Sequence, residues 1–181
     1  MNTLKALQTL AKIGKILSTI VFIISIVGAS FCLLGLLCLA IIPDGFTIGG
    51  TTVQGFLARE ADWSLPTCYL ALVQGVIFCA GEAVLAKFAE RYFKNELAVG
   101  TPFTFDGAKE LMRLGILAIC IPIGTAILAA IAYGIFRAVT KNVTDPDLEN
   151  SASIILGVML TVGGLLCKHG AEVSEKPEET V

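Results

Sequence analysis

Few residues in this chain have types and spacings that could do chemistry. Glu82 is the one carboxylate set within a long apolar stretch. A charge there is costly in lipid and is a functional candidate by default. Three roles are open to it: an interfacial carboxylate close to Lys87, a structural bond to another helix, or proton and cation handling. His169 is the sole histidine. It stands beside Lys168 with Glu172 three residues on, a setting for headgroup contact rather than catalysis. The six cysteines, Cys32, Cys38, Cys68, Cys79, Cys120 and Cys167, include no C-x-x-C pair, so neither a zinc site nor a dithiol redox centre is signalled. Cys38 and Cys68 both fall toward the outer end of their helices, which leaves a disulfide between them conceivable. No H-E-x-x-H, G-x-S-x-G or glycine-rich phosphate loop occurs. No catalytic, cofactor-binding or metal-binding residue is therefore expected, and the reading is non-enzymatic.

The elements that position these residues follow from composition. Of 181 residues, 55% are apolar and only 15% charged, against about a quarter charged in soluble domains. Mean hydropathy is +0.81. These values exclude disorder, a disulfide-stapled secreted scaffold and a strongly basic binder of nucleic acid; they fit an integral membrane protein. A helix needs about 20 apolar residues to cross a bilayer. Four stretches qualify, at about 16–42, 65–86, 114–136 and 150–167, the last being the shortest. The basic leader Lys5, Lys12 and Lys15 precedes an apolar run longer than a signal-peptide core, so that run is expected to be retained as a span. The expectation is a single all-α membrane domain over 1–181, a four-transmembrane-helix bundle.

Lysine and arginine in the short loops set orientation. With both termini inside, ten basic residues lie on the cytoplasmic side and three, Arg59, Arg137 and Lys141, outside. Both termini are expected in the cytoplasm. The first outer loop, Asp44 to Val53, has two short β-prone runs around Gly49-Gly50, which suits a small outer β-hairpin, with a structureless loop as the plain alternative. Trp63 stands where an amphipathic ring anchors at the interface. Asn142-Val-Thr144 is formally a glycosylation sequon in an outer loop. The tail 172–181 is acidic, with Glu172, Glu175, Glu178 and Glu179, and is expected to be solvated.

Packing in lipid depends on small residues that let backbones approach. Residues four apart form such stripes: Ala71, Gly75, Cys79 and Ala83; Ala126, Ala130 and Gly134; Ser153, Gly157 and Thr161. They serve either a tight intramolecular bundle or a homo-oligomer face. Between the second and third spans, 87–113 forms a cytoplasmic collar. The second helix is expected to continue to about Ala98, with Lys87, Arg91 and Lys94 on one face and Glu90 paired to Lys94. Phe88 with Tyr92, and Phe93 with Leu97, would be neighbours on other faces. Gly100 and Pro102 then break the helix. Thr104 caps the next helix, Asp106 complements its dipole, and Lys109 and Arg113 follow on one face. This collar suits anionic lipid headgroups, or a docking surface for a cytoplasmic partner.

The stretch Gly100-Thr-Pro-Phe-Thr-Phe-Asp-Gly-Ala-Lys-Glu-Leu-Met-Arg-Leu-Gly115 resembles the G-x-P-F-T signature of a bacterial family of four-span membrane proteins, catalogued as domain of unknown function twenty-nine seventy-five. Asp106, Lys109, Arg113 and Gly115 fit the rest of that pattern, while Gly107 stands where asparagine is usual. The tail Gly170-Ala-Glu-Val-Ser-Glu175 is similar to the family's ending. The resemblance implies a bacterial cytoplasmic membrane and, in many relatives, a gene beside a small helix-turn-helix regulator. It implies no catalytic residue. The expected role is regulatory: the collar binds a cytoplasmic partner such as a small DNA-binding regulator, without direct nucleic-acid contact. The alternatives are a small transporter, or an immunity or export accessory using Glu82, and a structural subunit packed on another membrane protein.

Overall fold

Long charge-free runs bounded by charge and proline become long helices. The computed structural model describes residues 2–41, 47–48, 51–52, 64–99, 104–140, 143–144 and 152–175. Helices α1 (Asn2–Ile41), α2 (Leu65–Val99), α3 (Phe105–Val139) and α4 (Ala152–Glu175) make up almost all of it. Helices α1, α2 and α3 are long and apolar enough to cross a membrane. Between α1 and α2, strands β1 (Thr47–Ile48) and β2 (Thr51–Thr52) pair antiparallel, Thr47 opposite Thr52 and Ile48 opposite Thr51. The Gly49-Gly50 pair, Trp63, Asn142, the side chain of Ser153 and the tail beyond Glu175 lie outside the described residues.

Many apolar side chains of the described helices face outward. Ile24, Phe31 and Leu37 of α1, Ile127 and Ile135 of α3, and Met159 and Leu166 of α4 are all more than half exposed. Such a surface is unfavourable in water and suits lipid. Hydroxyls on these helices are satisfied locally: Ser18 donates to the Gly14 carbonyl at 2.8 Å and Ser30 to that of Ile26 at 2.8 Å. Backbone-directed bonds of this kind let serine sit in an apolar helix without an orphaned group.

The chain divides into two compact units. One comprises Ile24–Gly81 and Ile123–Glu149. In it α1 and α2 meet along a seam in which the two helices alternate in supplying a glycine. Leu72 fills the space over Gly35, Cys32 the space over Gly75, and Cys79 the space over Gly28. Each step forward on α1 matches an equal step back on α2, so the pair is antiparallel and in one register. Leu39, Cys68 and Leu72 form a buried cluster with Leu36, Leu65 and Tyr69 against it. The first turn of α2 is tied down by hydroxyls. Ser64 and Thr67 share a hydrogen bond of 2.8 Å, and the Thr144 N–H donates to Thr67 Oγ1 at 3.2 Å. Gln74 is buried and its Nε2 donates to the Ala129 carbonyl at 3.4 Å, while its Oε1 has no partner among the described residues.

The other unit comprises Met1–Ile23, Glu82–Pro122 and Asn150–Val181. Here α3 and α4 make a second antiparallel seam, again with alternating glycines. Met112 lies over Gly164, Thr161 over Gly115, and Ile119 over Gly157. Gly14 of α1 lies under the Phe93 ring of α2, which meets Tyr92 edge-on at 5.3 Å between centroids.

Two alternatives that the sequence leaves open are narrowed. The stripe Ala126, Ala130 and Gly134 is exposed, and nothing lies within 4 Å of a Cβ built on Gly134. The buried side chains of that segment are Thr125 and Ala129, one residue earlier. A shift of one residue is about 100° around a helix, enough to turn the stripe outward. Cys38 and Cys68 are not bridged: all six cysteines are free thiols.

Candidate functional site

The collar is built from two helix ends. Helix α2 runs on from Ala86 to Val99 without a break. Helix α3 begins at Phe105 because Thr104 caps it: its Oγ1 accepts the Gly107 N–H at 3.1 Å, and its carbonyl accepts the Ala108 N–H at 2.9 Å. Asp106 lies in the first turn of α3, where a negative charge complements the helix dipole. Gly100 and Pro102 lie outside the described residues. Replacing Thr104 with alanine is expected to cost about 1 kcal/mol, the usual loss for a removed cap. A matching drop in unfolding midpoint checks this; an unchanged midpoint would remove the capping role.

Arg91, Lys94, Lys109 and Arg113 are all exposed. Lys87 is exposed as well, but Glu90 pairs with it at 2.9 Å. The expected Glu90–Lys94 pair is thus replaced by one three residues apart on the same helix, equally within side-chain reach. The Lys87 ammonium also lies 5.1 Å from the Phe22 ring centroid on α1, a cation–π contact.

Three openings lined by described residues divide the collar by charge. The widest, about 490 Å³, is lined by Lys87, Phe88, Glu90, Arg91, Lys94 and Asn95. A small one of about 70 Å³ brings Arg91 together with Arg113, beside Phe88, Tyr92, Glu110, Leu114 and Leu117. The third, about 240 Å³, is acidic, with Glu96, Asp106 and Glu110 next to Asn95, Ala98, Thr104 and Gly107. Lys109 lines none of these.

Side-chain bonds hold the two helix ends together. Asn95 Nδ2 on α2 donates to both oxygens of Glu110 on α3, at 3.0 and 3.1 Å. Tyr92, on the same stretch of α2, is buried. Counting lysine and arginine alone gives a basic collar; 87–113 also holds Glu90, Glu96, Asp106 and Glu110. The helix pairing sorts these into a basic side and an acidic cleft. The signal for that cleft is the three carboxylates flanking the Gly100–Thr104 break, Glu96 before it and Asp106 and Glu110 after it.

Glu82 is exposed. Lys168 and His169, near the end of α4, are exposed too and each interacts with a neighbouring group. Among the described residues no group of three or more histidine, cysteine, aspartate or glutamate side chains is placed to hold a metal ion. Comparison of the chain with protein-family models, with curated proteins and with solved structures found no match.

Proposed function

We propose that this chain is a non-enzymatic, multi-pass protein of a bacterial cytoplasmic membrane, with four spans and both termini inside, that holds a cytoplasmic partner at the membrane through its 87–113 collar. The observation that carries this reading is the exposed basic rim, Arg91, Lys94 and Arg113, set on helix ends that extend past charge-free segments. The lysine and arginine asymmetry of the loops supports the orientation. The likeness of Gly100–Gly115 to a family often encoded beside helix-turn-helix regulators makes a small DNA-binding regulator the partner class.

Rim charges act chiefly by steering and register, and a like-charge contact costs several kcal/mol. Arg91→Glu with Lys94→Glu should therefore cut recovery of the partner by about tenfold or more. The measurement is purification of the tagged chain from its native membrane in mild detergent, with mass spectrometry of what accompanies it. Undiminished recovery with the double variant normally inserted would overturn the reading. The other reading, a small transporter or an immunity or export accessory, depends on Glu82. Its exposure favours an interfacial carboxylate over a group enclosed by helices.

A further inference from the structure

We propose that the opening between α2 and α3 at Arg91 and Arg113 holds the headgroup of one anionic phospholipid. The inference rests on the membrane-spanning reading and names a ligand for part of the collar. Arg91 and Arg113, one from each helix, line the same opening of about 70 Å³, a size suited to a single phosphate. Arginine offers a planar fork that binds phosphate oxygens in pairs, which lysine does not.

The same lining continues directly into Phe88, Leu114 and Leu117. Leu114 opens the charge-free part of α3 and is buried, while Phe88 and Leu117 are half-buried and leave apolar surface in the opening. Charge at one end and aliphatic carbon at the other match an amphiphile. A free phosphate would use only the arginines, and an acidic peptide would leave Phe88 and Leu117 without an apolar partner. Glu110 is the one carboxylate in this lining, and both its oxygens accept from Asn95. One carboxylate against two arginines leaves the opening net positive. Phe88 and Arg91 also border the wider opening of about 490 Å³ that leads to Lys94, which gives the rest of a headgroup room beside the phosphate.

The test is native mass spectrometry of the delipidated full chain in detergent, titrated with phosphatidylglycerol and, separately, with phosphatidylcholine. Each arginine near an anionic headgroup contributes roughly a fivefold preference, so the wild type should favour phosphatidylglycerol by about 25-fold. Arg91→Gln with Arg113→Gln should bring the two lipids within about twofold of each other. Circular dichroism of that variant should show unchanged helicity. Equal affinity for the two lipids in the wild type would overturn the proposal, as would a preference that survives in the double variant. Glycerol phosphate displacing phosphatidylglycerol at equal concentration would assign the site to a soluble anion. Displacement by an acidic peptide would assign it to a protein partner. Loss of lipid preference with partner recovery intact sustains this site apart from the docking reading; lost partner recovery with an unchanged lipid preference sinks this site and leaves the docking reading standing.

Discussion

Gly157→Leu is expected to destabilise the protein by about 3 kcal/mol, the upper part of the range for overpacking a closed interface. A Cβ built on Gly157 would lie 2.7 Å from Ile119 Cγ1 and 3.0 Å from the backbone of Ala118 and Ile119. Rotating a side chain cannot clear backbone atoms, so α3 and α4 would have to separate. At Gly115 and Gly164 the obstacle is of the same kind, the backbone of Thr161 at 2.6 Å and of Met112 at 2.9 Å. Gly134→Leu is the control, because nothing lies within 4 Å there. It should be neutral or gain up to about 1 kcal/mol from removing a helical glycine. Unfolding midpoints in mixed micelles separate the two cases. Equal losses at Gly157 and Gly134 would mean that α4 does not pack on α3 through this seam.

At the α1–α2 seam, Gly75→Ala should cost about 2 kcal/mol, and Cys32→Ala should recover most of that loss. The added Cβ would lie 2.8 Å from Cys32 Sγ but 3.9 Å from Cys32 Cβ. Removing the sulfur alone makes room, while Cys32→Ala by itself leaves a small void and should cost about 1 kcal/mol. The two changes are thus non-additive, with a coupling of about 1 kcal/mol or more between touching residues. Equilibrium unfolding of the two single variants and the double variant measures it. Strict additivity would show that these side chains do not meet.

The helices were legible because absence of charge over 20 or more residues is a strong and simple signal. The cap at Thr104 was legible too, since capping depends only on residues three apart in sequence. Facing was much harder to read. A helix surrounded by lipid is apolar on every side, so periodicity does not distinguish the packed face of α3 from the exposed one. Small residues four apart occur on both, as Ala126 and Ala130 against Thr125 and Ala129 show. Gly28 and Gly35 are two of the three α1 residues in the seam but stand four and three residues from Cys32, a mixed spacing that no stripe at intervals of four contains. Gly164 escaped for the same reason, three residues beyond Thr161.

Within the collar, the geometry of individual charges was partly legible. The basic residues expected to line one side of α2 do share an opening. Arg91 and Arg113 are 22 positions apart in sequence, and only the fold of α3 back along α2 brings them to one place. The tie between Asn95 and Glu110 depends on that same return and has no local signature.

The alternating glycines also govern how the helices can move. If α1 slid along α2 by one turn, about 5.4 Å, one direction would set Gly75 against Gly28 and open a gap. The other direction would press Cys79 onto Cys32. Neither displaced position offers a good fit, so the seam behaves as a notched rail with a single stop. A mechanical signal borne by this pair would be carried by tilting the two helices together as one strut, with piston travel of one past the other blocked.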